Sequence, residues 1–331
     1  MFYPKVSIIV PVHNAGKYLR ICLDSLTGQT LKEIEIILVL DKPTDGSDQV
    51  AEEYAARDKR IKLIYNSENL HTGLSRNEGI KSATGEFIGF TDHDDYCEPE
   101  MFEKLYEKAI SENADVVISN FYDDTPVSTS FFAFPQGYDA VEFQQRAFLA
   151  LISADHSIRN AASFNNMNVI WNQIYRRSFI LENEIFFLDN RVLTMEDVYF
   201  SIQVYHFASK VYYLPETYYH HVNTSVNNYE NYSYRSIARI LPFLEEILQF
   251  LNNNELREKF RNEFAVCVLK RLYSSFRNEL KFNGISGLKG FFLLVRKNKS
   301  MQEVLSNFQQ NKALFNRFAL TKRVFFLLIK N

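Results

Sequence analysis

The chain has 331 residues, a formal net charge of −3 and 46% hydrophobic residues. This length predicts one large domain with a smaller extension, and the hydrophobic content is sufficient for a sizeable core. The slightly acidic balance gives no overall basic field, so nucleic acid is not an expected partner.

Short apolar runs alternate with helical patterns along roughly the first 120 residues. The runs predict strands, each ending near a polar or turn-forming residue: Val6–Val10, Ile34–Leu40, Ile61–Tyr65, Glu86–Thr91 and Asp115–Ser119. Helical spacing follows the first four strands: Tyr18–Leu26, Val50–Ala55, Gly73–Ala83, and from Pro99 to Ala109. This alternation predicts an α/β fold with a mostly parallel, Rossmann-like sheet flanked by helices.

Polar side chains follow three of these strands: Asn14, Asp41 and the stretch Asp92-His93-Asp94-Asp95. Ligands of parallel sheets bind outside the carboxyl ends of the strands, so these residues are expected on one rim. Clustered carboxylates repel one another and are costly to desolvate, which favours a bound cation. Their hard oxygen donors suit Mn²⁺ or Mg²⁺, and such an ion would hold a diphosphate. A solvated acidic turn is the alternative for Asp-x-Asp alone.

Four segments occur in an order and spacing typical of one family: VSIIVPVHNAGKYLRICLDSL, EIILVLDKPTDGS, NLHTGLSRNEGIKSATGEFIGFTDHDDYCEPEMFEKL, and VIWNQIYRRSFILENEIFFLDNRVLTMEDVYFSIQVYHFASKVYYLPETYYHH. The chain thereby resembles the family 2 glycosyltransferases, which are inverting, nucleotide-sugar-dependent enzymes with a GT-A fold. The resemblance implies a catalytic domain at 1–225, with a nucleotide-sugar-binding half at 1–120 and an acceptor-side half at 121–225. Residues 226–331 are predicted to form a helical C-terminal extension.

The resemblance also implies which residues bind the nucleotide. Pro11, Val12, His13 and Asn14 would line the nucleotide pocket, with His13 where an aromatic residue is more usual. Asp41 matches the family aspartate that contacts the base or the ribose. UDP is the nucleotide that the resemblance favours, although the sequence does not identify the sugar.

A second set of implied residues surrounds the diphosphate. Arg76 and Asn77 match the Arg-Asn pair that precedes the metal site, and Arg76 would meet the diphosphate. Asp92 and Asp94 match the metal-binding pair, with His93 as a tolerated variant between them.

Glu196-Asp197 resembles the acceptor-region pair whose aspartate is the usual catalytic base. An acceptor hydroxyl is a poor nucleophile, so a base within hydrogen-bond reach is required. Asp197 is therefore the candidate base, and Glu196 would orient Asp197 or the acceptor. The alternative is that the pair merely opens a helix after Thr194.

Other aromatic and histidine residues leave two interpretations open. Trp171 is expected either to stack under an acceptor sugar or to pack in the core. His220 and His221 either join the metal site or simply end a strand. His13, His71 and His93 match no dedicated zinc motif, so zinc is not expected.

The last part of the chain predicts helices with two apolar stripes, one from Ile240 to Leu251 and one from Phe260 to Phe276. Residues 314–330 combine bulky apolar with basic residues, so they are expected either to lie in a membrane interface, where lipid-linked acceptors reside, or to pack against the catalytic domain. Three widely spaced cysteines, no leader pattern and no apolar stretch of roughly 20 residues predict a cytoplasmic protein, peripheral at most on the inner face of the membrane.

Three other functions fit the sequence less well. A sugar-phosphate nucleotidylyltransferase would carry a Gly-rich, Arg-containing loop after the first strand, where Pro11-Val12-His13-Asn14 stands here. A non-catalytic binding or scaffold protein with the same fold is disfavoured because Asp41, Asp92, Asp94 and Asp197 are all present. A dehydrogenase is disfavoured since no Gly-x-Gly-x-x-Gly follows the first strand.

Overall fold

The computed structural model describes residues 3–153, 164, 166–223, 235–310, 325 and 329. The strands of the described residues are β1 Val6–Val12, β2 Ile34–Leu40, β3 Ile61–Tyr65, β4 Phe87–Phe90, β5 Tyr96–Cys97, β6 Val116–Thr125, β7 Ser128–Phe132, β8 Gln173–Arg176 and β9 Val211–Val222. The helices are α1 Tyr18–Thr27, α2 Ser47–Arg57, α3 His71–Ser82, α4 Met101–Ser111, α5 Ala140–Ser153, α6 Arg177–Glu182, α7 Glu196–Phe207, α8 Ile237–Asn253, α9 Arg261–Lys297 and α10 Lys299–Gln310.

The first half of the sheet is parallel, as the alternating pattern predicts. Its order is β3–β2–β1–β4. Every residue of β1 and β2 is buried, which is typical of parallel strands covered on both faces. The register pairs Val12 with Leu40, and the Asp41 N–H donates to the Val12 carbonyl at 2.9 Å. The residues that follow β1 therefore lie beside those that follow β2.

The second half of the sheet is mixed. Strand β8 lies antiparallel between β4 and β6, although α4, α5 and three strands separate it from β4 along the chain. Strand β9 runs parallel to β6, and the short β5 pairs antiparallel with β9. The sequence pattern predicts the strand that becomes β6, but neither the strand Gln173–Arg176 nor this order, because a run of four residues contains no local signal of its two partners.

The chain divides into two compact units. The first comprises Met1–Phe148, Asn166–Arg191 and Glu196–Val226, and it contains the whole sheet. The second comprises Leu149–Asn165, Val192–Met195 and Asn227–Asn331.

Helices α8 and α9 of the second unit bury most of the predicted apolar stripes, although Phe260 and Phe276 are only partly buried. Ile240, Leu244 and Ile247 of α8 are fully or almost fully buried, as are Phe264 and Leu272 of α9. Helix α9 is interrupted at Gly284, whose φ of 60° lies in the left-handed region. Arg239 of α8 donates from both Nη2 and Nε to the Leu193 carbonyl, at 2.5 and 3.2 Å.

Within the described part of the chain, no helix has the length and apolarity needed to cross a membrane. Segment 314–330 lies outside the described residues, apart from Phe325 and Ile329, which are buried.

Candidate active site

The polar residues that follow β1 and β2 form one hydrogen-bonded group. Asp41 is 3% exposed, and its Oδ1 accepts hydrogen bonds of 2.7 Å from Asn66 Nδ2 and from the Leu70 N–H. The Asp41 carbonyl lies 2.6 Å from His13 Nδ1. The nucleotide-binding residues predicted after the two strands are thus brought together, with Asp41 held at the centre.

Asn14 lies two residues after β1 in a left-handed conformation, with φ of 50°. Its Oδ1 accepts a hydrogen bond of 2.7 Å from the Thr44 N–H in the loop after β2. Pro11 and Val12 lie within β1 and are buried, and the Pro11 carbonyl accepts a hydrogen bond of 3.0 Å from His93 Nδ1. The side chain of His93 therefore ties the acidic stretch after β4 to the end of β1.

Arg76 and Asp92 form an ion pair at this rim. Arg76 Nη2 donates to Asp92 Oδ1 at 2.6 Å, and Arg76 is 5% exposed. The guanidinium also lies 5.4 Å from the centroid of the Phe187 ring. Although burial opposes it, the negative charges of Asp92 and Glu196 raise the pKa of Arg76. The guanidinium therefore stays charged.

Asn77, which the resemblance groups with Arg76, has a different set of partners. Its Nδ2 donates to the Phe187 carbonyl at 2.8 Å, and its Oδ1 accepts from the Phe187 N–H at 2.9 Å. Both ends of the amide thus clamp α3 to the segment at Phe187. The clamp holds Phe187 where its ring faces Arg76.

The three carboxylates after β4 differ in their surroundings. Burial, and then the charge of Asp92, raise the pKa of Asp94. Asp95 is 2% exposed, and its two oxygens accept hydrogen bonds of 2.7 Å from Tyr219 O–H and from the Val222 N–H. Asp92 and Asp94 are therefore the carboxylates of this stretch that are suited to a ligand.

Glu196 and Asp197 open α7. Asp197 Oδ2 accepts a hydrogen bond of 2.8 Å from Asn168 Nδ2, and its Oδ1 accepts one of 2.8 Å from the Val198 N–H. Burial, together with the negative charge of Asp197, raises the pKa of Glu196 to about 7. The preceding Met195 is in the left-handed region with φ of 63°. That conformation is strained for a residue with a side chain.

Glycine at position 73 allows α3 to approach this pair. A Cβ atom there would lie 2.7 Å from the Leu188 carbonyl oxygen and 3.2 Å from Glu196 Cγ. Arg76 lies one turn further along α3, on the same side of the helix. Its guanidinium consequently acts electrostatically on Asp92, Glu196 and Asp197 together. The predicted metal-binding and acceptor-side residues therefore belong to one charged cluster.

Trp171 packs in the core rather than facing an open surface. It is 7% exposed and stacks on Tyr219 with a centroid distance of 4.3 Å. The Phe121 ring meets the indole edge-on. Of the two interpretations of this residue, burial favours the packing role.

The two histidines near the end of β9 are held by carboxylates of β6. His220 Nδ1 lies 2.8 Å from Asp124 Oδ2, and His221 Nδ1 lies 2.8 Å from Asp123 Oδ1. The His221 ring also stacks on the Trp171 indole with a centroid distance of 5.6 Å. His220 is held at both ring nitrogens, since its Nε2 lies 3.0 Å from Glu98 Oε1. His221 acts electrostatically on Asp94, so a place for His221 at the metal site stays a prediction.

Two carboxylates of the rim have the chemistry that the expected cation requires. Among the described residues, no group of three or more His, Cys, Asp or Glu side chains is arranged to hold a metal ion. Asp92 and Asp94 both offer hard carboxylate oxygens. The charge of Asp92 helps to raise the pKa of Asp94, and a cation would relieve that repulsion. These residues thus fit Mn²⁺ or Mg²⁺ with further ligands from a bound diphosphate.

Comparisons with known structures agree with this architecture. The chain is similar to S. aureus TarS 1–349 in complex with UDP-GlcNAc, with a TM-score of 0.63 and 21% identity over 98% of this chain and 90% of that chain. It is also similar to the mannosyltransferase PcManGT from Pyrobaculum calidifontis in complex with GDP-Man and Mn²⁺, with a TM-score of 0.52 and 13% identity over 99% and 85% of the two chains. The fold is therefore the GT-A fold, followed by a helical region.

Sequence comparison gives the family. Residues 7–166 match the profile of Glycosyl transferase family 2. The chain is 34% identical over 288 residues to EpsH of Bacillus subtilis (strain 168), which is inferred to be a glycosyltransferase, and the match covers 85% of this chain and 79% of EpsH. Three other related glycosyltransferases are covered over only 25% to 48% of their length. This chain belongs to glycosyltransferase family 2, and it is a glycosyltransferase.

Proposed function

We propose that this protein transfers a sugar from a nucleoside-diphosphate sugar to a glycan or lipid-linked acceptor in surface polysaccharide synthesis, with inversion at the anomeric carbon. The observation that carries the proposal is the charged cluster of Arg76, Asp92, Glu196 and Asp197 at the rim where Asp41 is held. Within that cluster, residues suited to the donor and to the acceptor lie around one guanidinium.

The donor proposed is a UDP-sugar. The named complexes of similar structures contain UDP-GlcNAc in one case and GDP-Man in the other, which supports a nucleoside-diphosphate sugar as the class. Asp41 would contact the base or ribose, with Pro11, Val12, His13 and Asn14 completing the pocket. Arg76 is buried, charged and paired with Asp92, and it is suited to a diphosphate oxygen once it exchanges that partner.

The cofactor proposed is Mn²⁺ or Mg²⁺, held by Asp92 and Asp94, and the Mn²⁺ in the PcManGT complex supports this class of ion. When bound, such an ion neutralises charge on the departing diphosphate as a Lewis acid. His93 would take part through its contact with Pro11, which fixes the backbone between the two aspartates.

The reaction proposed is a single displacement. The acceptor hydroxyl oxygen bonds to the anomeric carbon from the face opposite the leaving group, while the bond from that carbon to the diphosphate oxygen breaks. Asp197 takes the hydroxyl proton, and the bonding electrons leave with the diphosphate. Asn168 orients the Asp197 carboxylate through its hydrogen bond of 2.8 Å. The other carboxylate oxygen accepts from the Val198 N–H, so opening the helix is compatible with a catalytic role.

The domain assignment proposed is supported by the division of the chain into one unit that contains the sheet and another that contains α8, α9 and α10. Residues 1–225 would form the catalytic domain and 226–331 the helical extension. Residues 314–330 would provide peripheral contact with the inner face of the membrane through side chains other than those of Phe325 and Ile329, which are buried. Flotation with liposomes tests that contact: the full chain is expected to float, and a chain stopped before residue 314 to remain at the bottom. Equal flotation of the two would contradict it.

The test of the base is Asp197→Asn. Transfer is expected to fall by about 1,000-fold or more, since the hydroxyl loses its proton acceptor, while binding of UDP with Mn²⁺ measured by thermal shift is retained. Asp58→Asn is the matched control, because Asp58 pairs with Arg60 before the amino end of β3, away from the proposed rim. Near-normal turnover of Asp197→Asn, or a product of retained anomeric configuration, would contradict the proposal.

A further inference from the structure

A buried chain of hydrogen bonds joins the acidic stretch after β4 to the end of β9. The Asp92 N–H donates to Tyr219 Oη at 3.1 Å, and Tyr219 O–H donates to Asp95 Oδ2 at 2.7 Å. Asp95 Oδ1 accepts a hydrogen bond of 2.7 Å from the Val222 N–H. Each phenol and carboxylate oxygen in this chain is therefore used in joining two segments that are far apart in sequence.

The middle of this series of hydrogen bonds is buried, and the Tyr219 ring at its centre is fixed by packing. Tyr219 is 0% exposed and Asp95 is 2% exposed. The Trp171 indole stacks on the Tyr219 ring with an interplanar angle of 15°, and the Phe121 ring meets the indole edge-on at 4.8 Å. A ring packed in this way cannot rotate to offer its hydroxyl elsewhere without opening the core.

We infer that Tyr219 and Asp95 are positioning residues of the transfer reaction, which set where the backbone of Asp92 stands relative to β9. The inference rests on the proposed function, since it is the role of Asp92 in the donor site that makes its position matter. Tyr219 holds the main-chain amide of Asp92. Asp95 in turn holds the Tyr219 hydroxyl, and neither of these two side chains contacts the donor.

The link carries a functional consequence because it holds the residue that also pairs with Arg76. The Asp92 carboxylate faces Arg76 at 2.6 Å while its amide faces Tyr219 at 3.1 Å, so both ends of the residue are held. The same strand end carries His221, whose imidazole is held by Asp123. Misplacement of reacting groups by about 1 Å can cost on the order of 100-fold in rate. Loss of the Tyr219 hydroxyl is therefore expected to lower the rate of transfer.

The experiment is Tyr219→Phe, compared with Tyr213→Phe as a matched control on the same strand. Tyr213 O–H donates to Asn120 Oδ1 at 2.8 Å, so both variants remove one phenol hydroxyl from β9. We expect Tyr219→Phe to need about tenfold more Mn²⁺ for half-maximal UDP-dependent thermal stabilisation, and kcat to fall about 10- to 100-fold. Tyr213→Phe is expected to keep the wild-type Mn²⁺ midpoint and kcat.

The outcomes separate positioning from simple stability. A Tyr219→Phe variant that loses thermal stability as Tyr213→Phe does, yet keeps the wild-type Mn²⁺ midpoint and kcat, overturns the inference. Should Tyr219→Phe fail to fold, Asp95→Asn gives the second measurement, since Asn keeps one acceptor oxygen and a smaller shift in the same direction is expected. Asp92→Asn separates the two proposals. If this variant keeps transfer and the Mn²⁺ response, the proposed donor site is wrong. If Asp92→Asn is inactive while Tyr219→Phe is unaffected, the donor site stands and the positioning role of Tyr219 is wrong.

Discussion

Arg76 donates its 2.6 Å hydrogen bond to Asp92, so an aspartate suited to a cation is already paired with a buried guanidinium. The guanidinium thereby partly compensates the like charges of the cluster. Binding a cation and a diphosphate would exchange these partners, with the guanidinium moving from carboxylate to phosphate oxygen.

Replacing Arg76 tests this exchange. Arg76→Ala leaves Asp92, Glu196 and Asp197 without their shared cation, and kcat/KM is expected to fall on the order of 100-fold or more. Arg76→Lys is expected to recover part of the loss, because the ammonium restores the charge without the planar fork. Arg60→Ala, which breaks the Arg60–Asp58 pair, serves as the control in steady-state kinetics. Full activity of Arg76→Ala would exclude a role for Arg76 at the diphosphate.

Glu196 predicts a pH dependence of stability. Burial and Asp197 raise its pKa from an ordinary value of 4.5 to about 7, so the folded protein binds this proton more tightly than the unfolded chain. The resulting stabilisation is complete below about pH 4.5 and is lost as the pH rises through about 7. Glu196→Gln is therefore expected to increase the free energy of unfolding relative to wild type by about 1–3 kcal/mol at pH 8, and by much less at pH 5.

Chemical denaturation at the two pH values measures this difference. Glu182→Gln, at an exposed position, is the control for the substitution itself. A Glu196→Gln difference that does not change between pH 5 and pH 8 would show that the folded protein does not hold this proton.

Asp41→Asn separates nucleotide binding from folding. Asn keeps an oxygen for Asn66 Nδ2 and the Leu70 N–H, and it replaces the second carboxylate oxygen with an amide. We expect UDP to bind about 10-fold more weakly by calorimetry, since a hydrogen bond to a charged acceptor is lost, while the melting temperature changes little. Titration with GDP and dTDP identifies the preferred base. If Asp41→Asn binds UDP, GDP and dTDP as tightly as the wild type does, Asp41 does not contact the nucleotide.

Arg239→Ala tests the segment that leads into α7. Arg239 donates two hydrogen bonds to the Leu193 carbonyl, and the strained Met195 that follows is joined directly to Glu196. The loss of these bonds is expected to lower the free energy of unfolding by about 1–3 kcal/mol and to reduce kcat while leaving the UDP affinity unchanged. Arg257→Ala, which removes an exposed ion pair with Glu303, is the control for the helical unit. A wild-type kcat in Arg239→Ala would show that this segment has no role in catalysis.

The sequence predicts the parts of this molecule that depend on local pattern. The alternation of strands and helices predicts the parallel half of the sheet, and the position of Asp41 and Asp92 after strands predicts that they share a rim. The apolar spacing in α8 and α9 predicts their buried stripes. Each of these follows from periodicity or from the end of a strand, so a single segment contains the information.

The features that the sequence does not predict depend on distant partners. The clamp of Asn77 on Phe187, the link from Asp92 through Tyr219 to Asp95 and the stack of Trp171 on Tyr219 each join segments far apart in sequence. The secondary-structure propensity of a segment carries no information about which distant residues it will contact. The two interpretations of Trp171 are equally consistent with its apolar neighbours in sequence, and only its burial distinguishes them.

The place of β8 has a consequence for how the chain acquires its fold. Strands β1 to β4 can pair as soon as residue 90 is available, whereas among the described strands Gln173–Arg176 alone joins the β6 half to them. During synthesis, an emerging chain would therefore hold an assembled parallel sheet with the β4 edge uncovered until that tetrapeptide leaves the ribosome. Such an exposed edge is open to pairing with other chains, so we expect this protein to be prone to aggregation in the interval between those two points.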